Sequence, residues 1–141
     1  MIDQACILAG GLGTRLGELT RSIPKPLLDV SGRPFLEYVF WNLRRHGICR
    51  VVLSIGYLAE KIQAVFGDGS RYGIDLSYIV ETEPLGTGGG LKLAAGLLDD
   101  EFLVLNGDTI FDVNYLDLAT GHSSENLVTI ALRYVDDVSR Y

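Results

Sequence analysis

The stretch Ala5–Arg15 reads ACILAGGLGTR and joins a continuous apolar run to a loop with three glycines. Such a run is typical of a parallel strand that is covered on both faces. Glycines placed directly after a strand let the backbone approach a ligand closely, and their N–H groups can face phosphate oxygens. We therefore expect this stretch to open an α/β fold and to bind a phosphorylated ligand.

The hydrophobic period alternates between strand-like and helix-like spacing along the rest of the chain. This alternation predicts right-handed crossovers and an open, mainly parallel, Rossmann-like α/β sheet with helices on both faces. After the first strand, the predicted elements are a helix from Pro34 to a stop at Gly47, a strand over 51–55, a helix whose apolar face is Leu58, Ile62, Val65 and Phe66, a strand over 76–80, a helix over about 91–98, a strand over 102–105, a helix over 113–119 and a last strand over 127–135.

No predicted helix covers the last strand, so we expect residues 1–141 to be part of one domain that is incomplete in this sequence. The family resemblance described below implies that they are its N-terminal, nucleotide-binding portion and that its C-terminal part is missing. An uncovered strand is also a plausible pairing edge, which leaves a homo-oligomer open.

Composition narrows the function classes. The net charge of -6 argues against a nucleic-acid partner, which would need a basic face. No apolar run reaches the roughly 18 residues that span a membrane, and Asp3 stands where a signal peptide would be positive, so we expect a cytoplasmic protein without a membrane partner. The spacing of two cysteines and two histidines predicts neither a zinc site nor a redox site.

Two common phosphate loops can be excluded on single residues. A Walker A loop needs Gly-Lys followed by Ser or Thr, and no such triplet follows the glycines. A dinucleotide-binding loop that starts at Gly11 needs a third small residue at position 16, which is Leu16. No acidic residue ends the second predicted strand to hold a ribose, so a dehydrogenase-like domain is disfavoured as well.

Two cations accompany the glycines. Thr14 and Arg15 add a hydroxyl and a forked cation to the loop, and Lys25 stands between two prolines that restrict its direction. Together these residues favour a triphosphate cradle, whereas a plain glycine turn with two solvated cations is the structural alternative.

These residues resemble the signature of the sugar-phosphate nucleotidyltransferases, Gly-Gly-x-Gly-Thr-Arg-Leu followed after a spacer by Pro-Lys-Pro. The resemblance implies the Rossmann-like nucleotidyltransferase fold and the joining of a nucleoside triphosphate to a sugar 1-phosphate, with release of pyrophosphate. The matching positions are Gly10, Gly11, Gly13, Thr14, Arg15 and Leu16, then Pro24, Lys25 and Pro26.

Two later stretches fit the same chemistry. The glycines of ETEPLGTGGG, residues 81–90, would let a flat base or ribose lie against the backbone next to a helix N-terminus. In LNGDT, Asp108 directly follows a buried strand, where open α/β sheets bind ligands and where a carboxylate can hold Mg²⁺ against phosphates. A simple loop-to-helix junction and a turn-capping aspartate are the structural alternatives.

The resemblance assigns roles to these positions. It implies that Arg15, Lys25 and Asp108 act in catalysis and that Asp108 is the first ligand of a Mg²⁺ cofactor. The family takes a second metal-binding aspartate from a later part of its chain, so a nucleotide-binding module without turnover stays an alternative. The implied nucleotide-binding residues are Ala9, Gly10, Gly11, Gly13, Thr14, Arg15, Lys25, Glu83, Gly86, Thr87 and Gly88.

The base and the sugar are less well determined. The runs PLGTGGG, LNGDTIFDV and PFLEYVFWNLRRHGI look most similar to the D-glycero-D-manno-heptose 1-phosphate guanylyltransferases of surface-polysaccharide synthesis. A carboxylate can accept two parallel N–H groups of guanine, and Glu81 or Glu83 could serve. Uridylyltransferases acting on N-acetylmuramate or hexose 1-phosphates are similar through GDGSRYG and EPL, so UTP stays open.

Overall fold

The structure is a computed structural model that describes residues 2–11, 17–18, 20–123 and 125–137. The chain divides into two compact units, Met1–Ile110 and Phe111–Tyr141. No helix in the described ranges is long and apolar enough to cross a membrane.

The first unit contains a four-stranded sheet in which every strand is parallel to its neighbours, in the order β5-β4-β1-β6. A two-stranded antiparallel hairpin, β2-β3, precedes the first helix. The elements are β1 (Gln4–Ala9), β2 (Asp29–Val30), β3 (Arg33–Pro34), α1 (Phe35–Arg45), β4 (Arg50–Ile55), α2 (Ala59–Phe66), β5 (Asp75–Val80), α3 (Gly86–Ala94) and β6 (Leu103–Asn106), with short 3₁₀ turns at Lys25–Leu27, Ser70–Tyr72 and Ala95–Leu97.

The order of the strands explains why helices cover both faces of the sheet. The chain moves outward from β1 to β4 and β5 through α1 and α2, and α3 then carries it back across the sheet to β6. Because parallel crossovers are right-handed, reversing the direction of travel places α3 on the face opposite α1 and α2. The predicted open parallel α/β sheet is therefore confirmed.

The two central strands, β1 and β4, are buried on both faces, as their continuous apolar runs predict, whereas the edge strands β5 and β6 are partly exposed. On one face, Cys6 of β1 and Val52 of β4 pack with Ala94 of α3. The side chains that alternate with them, such as Ile7 and Leu53, point to the other face and are fully buried.

Helix α1 begins after Pro34 and ends just before Gly47, as predicted, with Arg44 and Arg45 in its last turn. Proline at a helix start and cations near its end are both favourable placements. Its buried side is formed by Leu36, Val39, Phe40 and Leu43.

Helix α2 corrects the predicted apolar face in two places. Leu58 is the N-cap in a left-handed conformation, and Val65 is 40% exposed. The face is instead formed by Ala59, Ile62 and Phe66, and the Phe66 ring meets the Phe40 ring of α1 edge-on, with 5.2 Å between centroids. The predicted apolar face did not include Ala59, a small residue one turn before Ile62.

The second unit has a short helix, α4 (Tyr115–Thr120), where a helix over 113–119 is predicted. The predicted last strand over 127–135 is wrong for this structure, since the described residues there form no strand. Leu127 and Tyr134 are almost fully exposed. A segment becomes a strand only when its backbone pairs with a neighbouring strand, and no strand among the described residues pairs with this segment.

Candidate active site

The carboxyl ends of β1 and β6 meet at the point where the strand order reverses. The chain leaves β1 in one direction, toward β4, and enters β6 on the other side of β1. Open α/β sheets bind ligands in the crevice at such a switch point. The fold therefore directs attention to the loops that follow Ala9 and Asn106.

The last residues of β6 are held tightly against β1. The N–H of Gly107 donates to the carbonyl of Leu8 at 2.8 Å, and a Cβ on Gly107 would stand only 2.7 Å from that of Ala9. A larger residue cannot occupy position 107 without moving the strands apart. The close approach sets the direction in which Asp108 leaves the sheet.

Asp108 and Lys25 form a direct ion pair at this edge. The Lys25 Nζ donates to Asp108 Oδ2 at 2.5 Å, although 83 positions separate the two residues in the sequence. Their side chains keep 34% and 41% of their exposure, so the pair is accessible to a ligand from solvent. Two residues that the sequence assigns to catalysis are thus brought together.

The charge state of Asp108 follows from this contact. The hydrogen bond from Lys25 lowers the pKa of the Asp108 carboxyl, partial burial opposes the shift, and a further hydrogen bond from the Thr109 hydroxyl at 3.0 Å adds to it. Asp108 is therefore an anion at neutral pH, as a metal ligand must be. Thr109 did not figure in the sequence-based site, although it directly follows Asp108.

A cavity of about 260 Å³ opens around the ion pair. It contains four of the predicted site residues, Ala9, Gly11, Lys25 and Asp108. Gly10 lies beside them in the chain, whereas Gly13, Thr14 and Arg15 fall outside the described residues. The remaining lining residues are Leu8, Pro26, Asn106 and Gly107.

Two larger cavities, of about 520 and 500 Å³, lie beside α1 and the β2-β3 hairpin. Neither is lined by a residue of the four-stranded sheet or by a predicted site residue. Size alone does not locate chemistry, and the smaller cavity has both the switch-point position and the charged pair.

The backbone around Lys25 is rigid for reasons that the sequence indicates in part. Pro24 and Pro26 are both buried, and the N–H of Leu27 donates to the Pro24 carbonyl at 2.8 Å, closing a 3₁₀ turn over Lys25–Leu27. The flanking prolines limit the backbone conformations of this turn, from which the ammonium reaches the cavity.

Two side chains from the start of α2 hold the segment that precedes Lys25. The Tyr57 hydroxyl donates to the Arg21 carbonyl at 2.7 Å, and the Lys61 Nζ donates to the Ser22 carbonyl at 2.6 Å. No sequence signal marks these contacts, because a donor to a backbone carbonyl 36 to 39 positions away needs no motif.

The predicted base-binding residues lie elsewhere on the same side of the sheet. Glu83, Thr87 and Gly88 are exposed and do not line the 260 Å³ cavity. Gly86, with a φ of 68°, begins α3, so the glycines predicted as a loop lie inside the helix. The structure thus places Gly86 and the glycines at 88–90, which the sequence predicts as a loop, in the first turns of α3.

The donor set at the cavity fits a magnesium ion in part. Mg²⁺ uses one or two carboxylates together with substrate phosphates, and Asp108 supplies one deprotonated carboxylate. Within the described ranges, no group of three or more His, Cys, Asp or Glu residues is placed to hold a metal without such a substrate. An ion here would take its remaining ligands from phosphate oxygens, from water or from groups outside the described residues.

Known proteins similar to this chain point the same way. The chain is 43% identical over 138 residues to D-glycero-alpha-D-manno-heptose 1-phosphate guanylyltransferase of Campylobacter jejuni, covering 98% of this chain and 61% of that protein. It is 42% identical over 136 residues to mannose-1-phosphate guanylyltransferase of Mycobacterium tuberculosis, covering 95% of this chain and 38% of that protein. The chain thus spans about three fifths of the length of the first relative.

A solved structure shares the fold. The crystal structure of HddC from Yersinia pseudotuberculosis complexed with GMP-PN superposes with a TM-score of 0.76 at 38% identity, over 84% of this chain and 53% of that one. Residues 4–141 match the family model described as Nucleotidyl transferase. Since that match spans nearly the whole sequence and the ion pair lies at the family signature, this chain belongs to the nucleotidyl transferase family.

Proposed function

We propose that this chain is the nucleotide-binding part of a guanylyltransferase that joins GTP to D-glycero-D-manno-heptose 1-phosphate and releases pyrophosphate. The observation that carries the proposal is the Lys25–Asp108 ion pair in the cavity at the strand switch point. It puts a cation and a carboxylate beside Gly11 in one cavity, where phosphates and a divalent ion would be bound together.

The base and the sugar are supported by the relatives. Two of them, from Campylobacter jejuni and Mycobacterium tuberculosis, are named as sugar 1-phosphate guanylyltransferases, and the similar Yersinia structure is a complex with GMP-PN. These names favour GTP over UTP. This chain covers 61% of the length of the heptose relative but only 38% of the length of the mannose relative, which favours heptose 1-phosphate.

The reaction is an in-line displacement at the α-phosphorus of the nucleotide. A phosphate oxygen of the sugar 1-phosphate forms the new P–O bond, the bond to the bridging oxygen of the β-phosphate breaks, and pyrophosphate leaves. Such transfers depend on alignment and on stabilising charge rather than on a protein nucleophile.

The residues of the chain divide that work. Lys25, whose direction is fixed by two prolines, neutralises the negative charge that builds on the reacting phosphates. The loop amides at Gly10 and Gly11 bind phosphate oxygens, and Arg15 holds the β- and γ-phosphates. Asp108 would hold Mg²⁺, and the ion would supply positive charge to neutralise the phosphates.

Ligand approach must rearrange the ion pair. In the structure one Asp108 oxygen accepts from Lys25 and the other from Thr109. We expect Lys25 to leave this carboxylate and contact a phosphate when the nucleotide binds, which would free Asp108 to hold a metal ion. The pair places both groups at the cavity before the substrate arrives.

A second candidate is a module that binds the nucleotide without turnover. It is favoured by the single carboxylate of the described cavity, since the family takes a second metal-binding aspartate from a part of its chain beyond these residues. In either case we infer a cytoplasmic protein, because nucleoside triphosphates are found there. For the guanylyltransferase we also infer that its product is used in surface-polysaccharide (lipopolysaccharide) synthesis.

The test is calorimetric titration of this chain with GTP, UTP, CTP, dTTP and ATP, with and without Mg²⁺, followed by a pyrophosphate-release assay with heptose 1-phosphate and mannose 1-phosphate. We expect Mg²⁺-dependent binding with preference for GTP, and weaker binding in Lys25→Met. Preference for UTP would refute the guanylyl assignment, and absence of all nucleotide binding would refute the proposed function. Binding without pyrophosphate release would select the second candidate.

A further inference from the structure

A groove lies between α1, the β2-β3 hairpin and the stretch GDGSRYG at residues 67–73. It consists of the two cavities of about 520 and 500 Å³, which share the lining residues Arg33, Glu37, Arg71 and Tyr72. We call it the α1 groove. Cavities of this size are in the range that holds a small organic ligand, and no step of the proposed reaction uses this one.

The α1 groove is rich in positive charge. Its lining includes Arg33, Arg44 and Arg71, whereas the chain as a whole has a net charge of -6. Glu37 is the one carboxylate among the described residues that line it, and Arg33 forms an ion pair with this glutamate. In the described part of the chain, neither Arg44 nor Arg71 is paired with a carboxylate. Two guanidinium groups are therefore available to an anion.

The guanidinium of Arg44 lies close to the backbone of the opposite wall. A Cβ on Gly73 would stand 2.8 Å from Arg44 Cζ and 2.9 Å from its Nε. The lack of a side chain at Gly73 thus lets the planar group approach the end of the GDGSRYG stretch. Arg44 is contributed by the last turn of α1, so the contact joins the two walls of the groove.

Aromatic rings form the rest of the wall. The Tyr72 ring packs against Phe66 and Phe40, with 5.4 and 6.0 Å between centroids, which holds it in place. The Arg71 Cζ lies 5.9 Å from the centroid of the Tyr72 ring, within the range of a cation–π contact. Trp41 lines the same groove and is 63% exposed. Flat heterocycles stack on such rings and on guanidinium planes.

We propose that the α1 groove is a second ligand site, which takes a small molecule that has both a phosphate group and a flat ring. Arginine binds phosphate oxygens through its planar fork, and Arg44 and Arg71 supply two such groups. The exposed face of Trp41 receives the ring. The groove shares no lining residue with the cavity of Lys25 and Asp108, so the proposal does not depend on the reaction assigned to that cavity.

Trp41 makes the site directly observable, because it is the single tryptophan of the chain. GMP, which has both a phosphate and a flat ring, is the probe, and it is titrated without Mg²⁺. We expect a saturable change in tryptophan fluorescence, with an affinity that calorimetry reproduces. Arg44→Gln and Arg71→Gln should each weaken GMP binding by about tenfold or more, since each removes a charged hydrogen-bond donor to phosphate.

The neighbouring arginine provides a matched control. Arg45 also belongs to the last turn of α1 but is not among the residues that line the groove, so Arg45→Gln should leave GMP affinity unchanged. Lys25→Met changes the other cavity and should leave the fluorescence titration unchanged. Urea unfolding of each variant shows whether it is folded. Guanosine and ribose 5-phosphate each carry one half of the probe, and both should bind more weakly than GMP.

The proposal would be overturned by the absence of any saturable fluorescence change or heat with GMP over the millimolar range. Equal losses in Arg44→Gln, Arg71→Gln and Arg45→Gln would also overturn it, because they would indicate a general effect of charge. Loss of the signal in Lys25→Met would place GMP in the other cavity. Guanosine or ribose 5-phosphate binding as tightly as GMP would contradict the assignment of a ligand with both parts.

Discussion

Replacement of Asp108 by asparagine should separate nucleotide binding from the stability of the fold. Asparagine has nearly the same shape and can still accept a hydrogen bond from Lys25, but it has no charge to attract a metal ion. The substitution therefore removes the electrostatic part of the site and leaves the packing around Gly107 intact.

The structure sets the expected cost in stability. The side chains of Lys25 and Asp108 remain 34% and 41% exposed, so solvent screens their attraction, and pairs of this kind contribute about 0.2–1 kcal/mol to folding. We expect the free energy of unfolding of Asp108→Asn to fall within that range. The loss in Mg-GTP affinity should be larger, at least about tenfold or 1.4 kcal/mol, because the Asp108 carboxylate would contact the charged metal ion.

The assay is calorimetric GTP titration at several Mg²⁺ concentrations, with urea unfolding on the same samples. Asp108→Asn should flatten the Mg²⁺ dependence, because the wild type gains affinity through a metal that the variant holds poorly. Without Mg²⁺ the variant should lose little, since removing a carboxylate also removes its repulsion of the triphosphate.

A matched control is present in the same sheet. Arg50 and Asp99 form an ion pair of similar exposure, 41% and 48%, at the amino end of β4, away from the cavity. Asp99→Asn should reduce stability by a similar amount and leave nucleotide affinity unchanged. Equal losses of GTP affinity in both variants, or an unfolding cost of several kcal/mol for Asp108→Asn, would refute the reasoning.

Three further predictions concern pH, thiols and the loop before Lys25. The folded-state pKa of Asp108 is lowered, so its contribution to stability is fully present above the ordinary aspartate pKa of about 3.9 and disappears as pH falls through the lower folded value. The difference in unfolding free energy between wild type and Asp108→Asn, measured by urea unfolding at a series of acidic pH values, should therefore close only below about pH 4. Burial raises the pKa of the Cys6 thiol to about 11 whereas Cys49 is exposed, so an aromatic disulfide reagent at pH 8 should titrate one thiol in the native chain and two in denaturant; two native thiols would contradict the buried position. Tyr57→Phe removes the hydrogen bond to the Arg21 carbonyl and should cost about 0.5–1.5 kcal/mol in urea unfolding together with a modest loss of GTP affinity; an unchanged affinity would mean that this contact does not position the loop.

The sheet could be predicted because its signals are local and strong. The apolar runs at Ala5–Ala9 and Val51–Ile55 lie within observed strands, and the Pro34 and Gly47 signals bracket α1. The alternation of elements implies parallel strands, and the observed order adds only which neighbours each strand has. These features follow from short-range sequence and from the handedness of crossovers.

The errors have a common physical origin in contacts between distant segments. The segment over 127–135 would need a neighbouring strand to pair with, and its own sequence does not show whether one is present. The glycines of α3 look like a loop because each costs up to about 1 kcal/mol in a helix. At Gly90 that cost is accepted because the helix lies against Glu81 and Leu8, where a Cβ would stand 3.1 and 3.3 Å away.

The candidate site was foreseen in its residue types more than in its contacts. Lys25 and Asp108 stand out in the sequence through Pro-Lys-Pro and through the end of a buried strand. Their direct pairing, and the tethers from Tyr57 and Lys61, depend on loop paths that no motif encodes. Spacing in the chain identifies candidates, whereas the strand order decides which of them meet.

The glycines near the switch point explain why so many signature residues are small without all of them touching a ligand. At Gly107 an added Cβ would stand 2.7 Å from the Cβ of Ala9, so this position is limited by packing, whereas at Gly10 it would stand 2.6 Å from the carboxylate end of Glu81, which can move. At Gly11 the space is open. The close packing at Gly107 holds the end of β6 against β1, and the open space at Gly11 would leave room for the phosphates of the proposed ligand. Close packing of the strand ends is thus a precondition of the binding site.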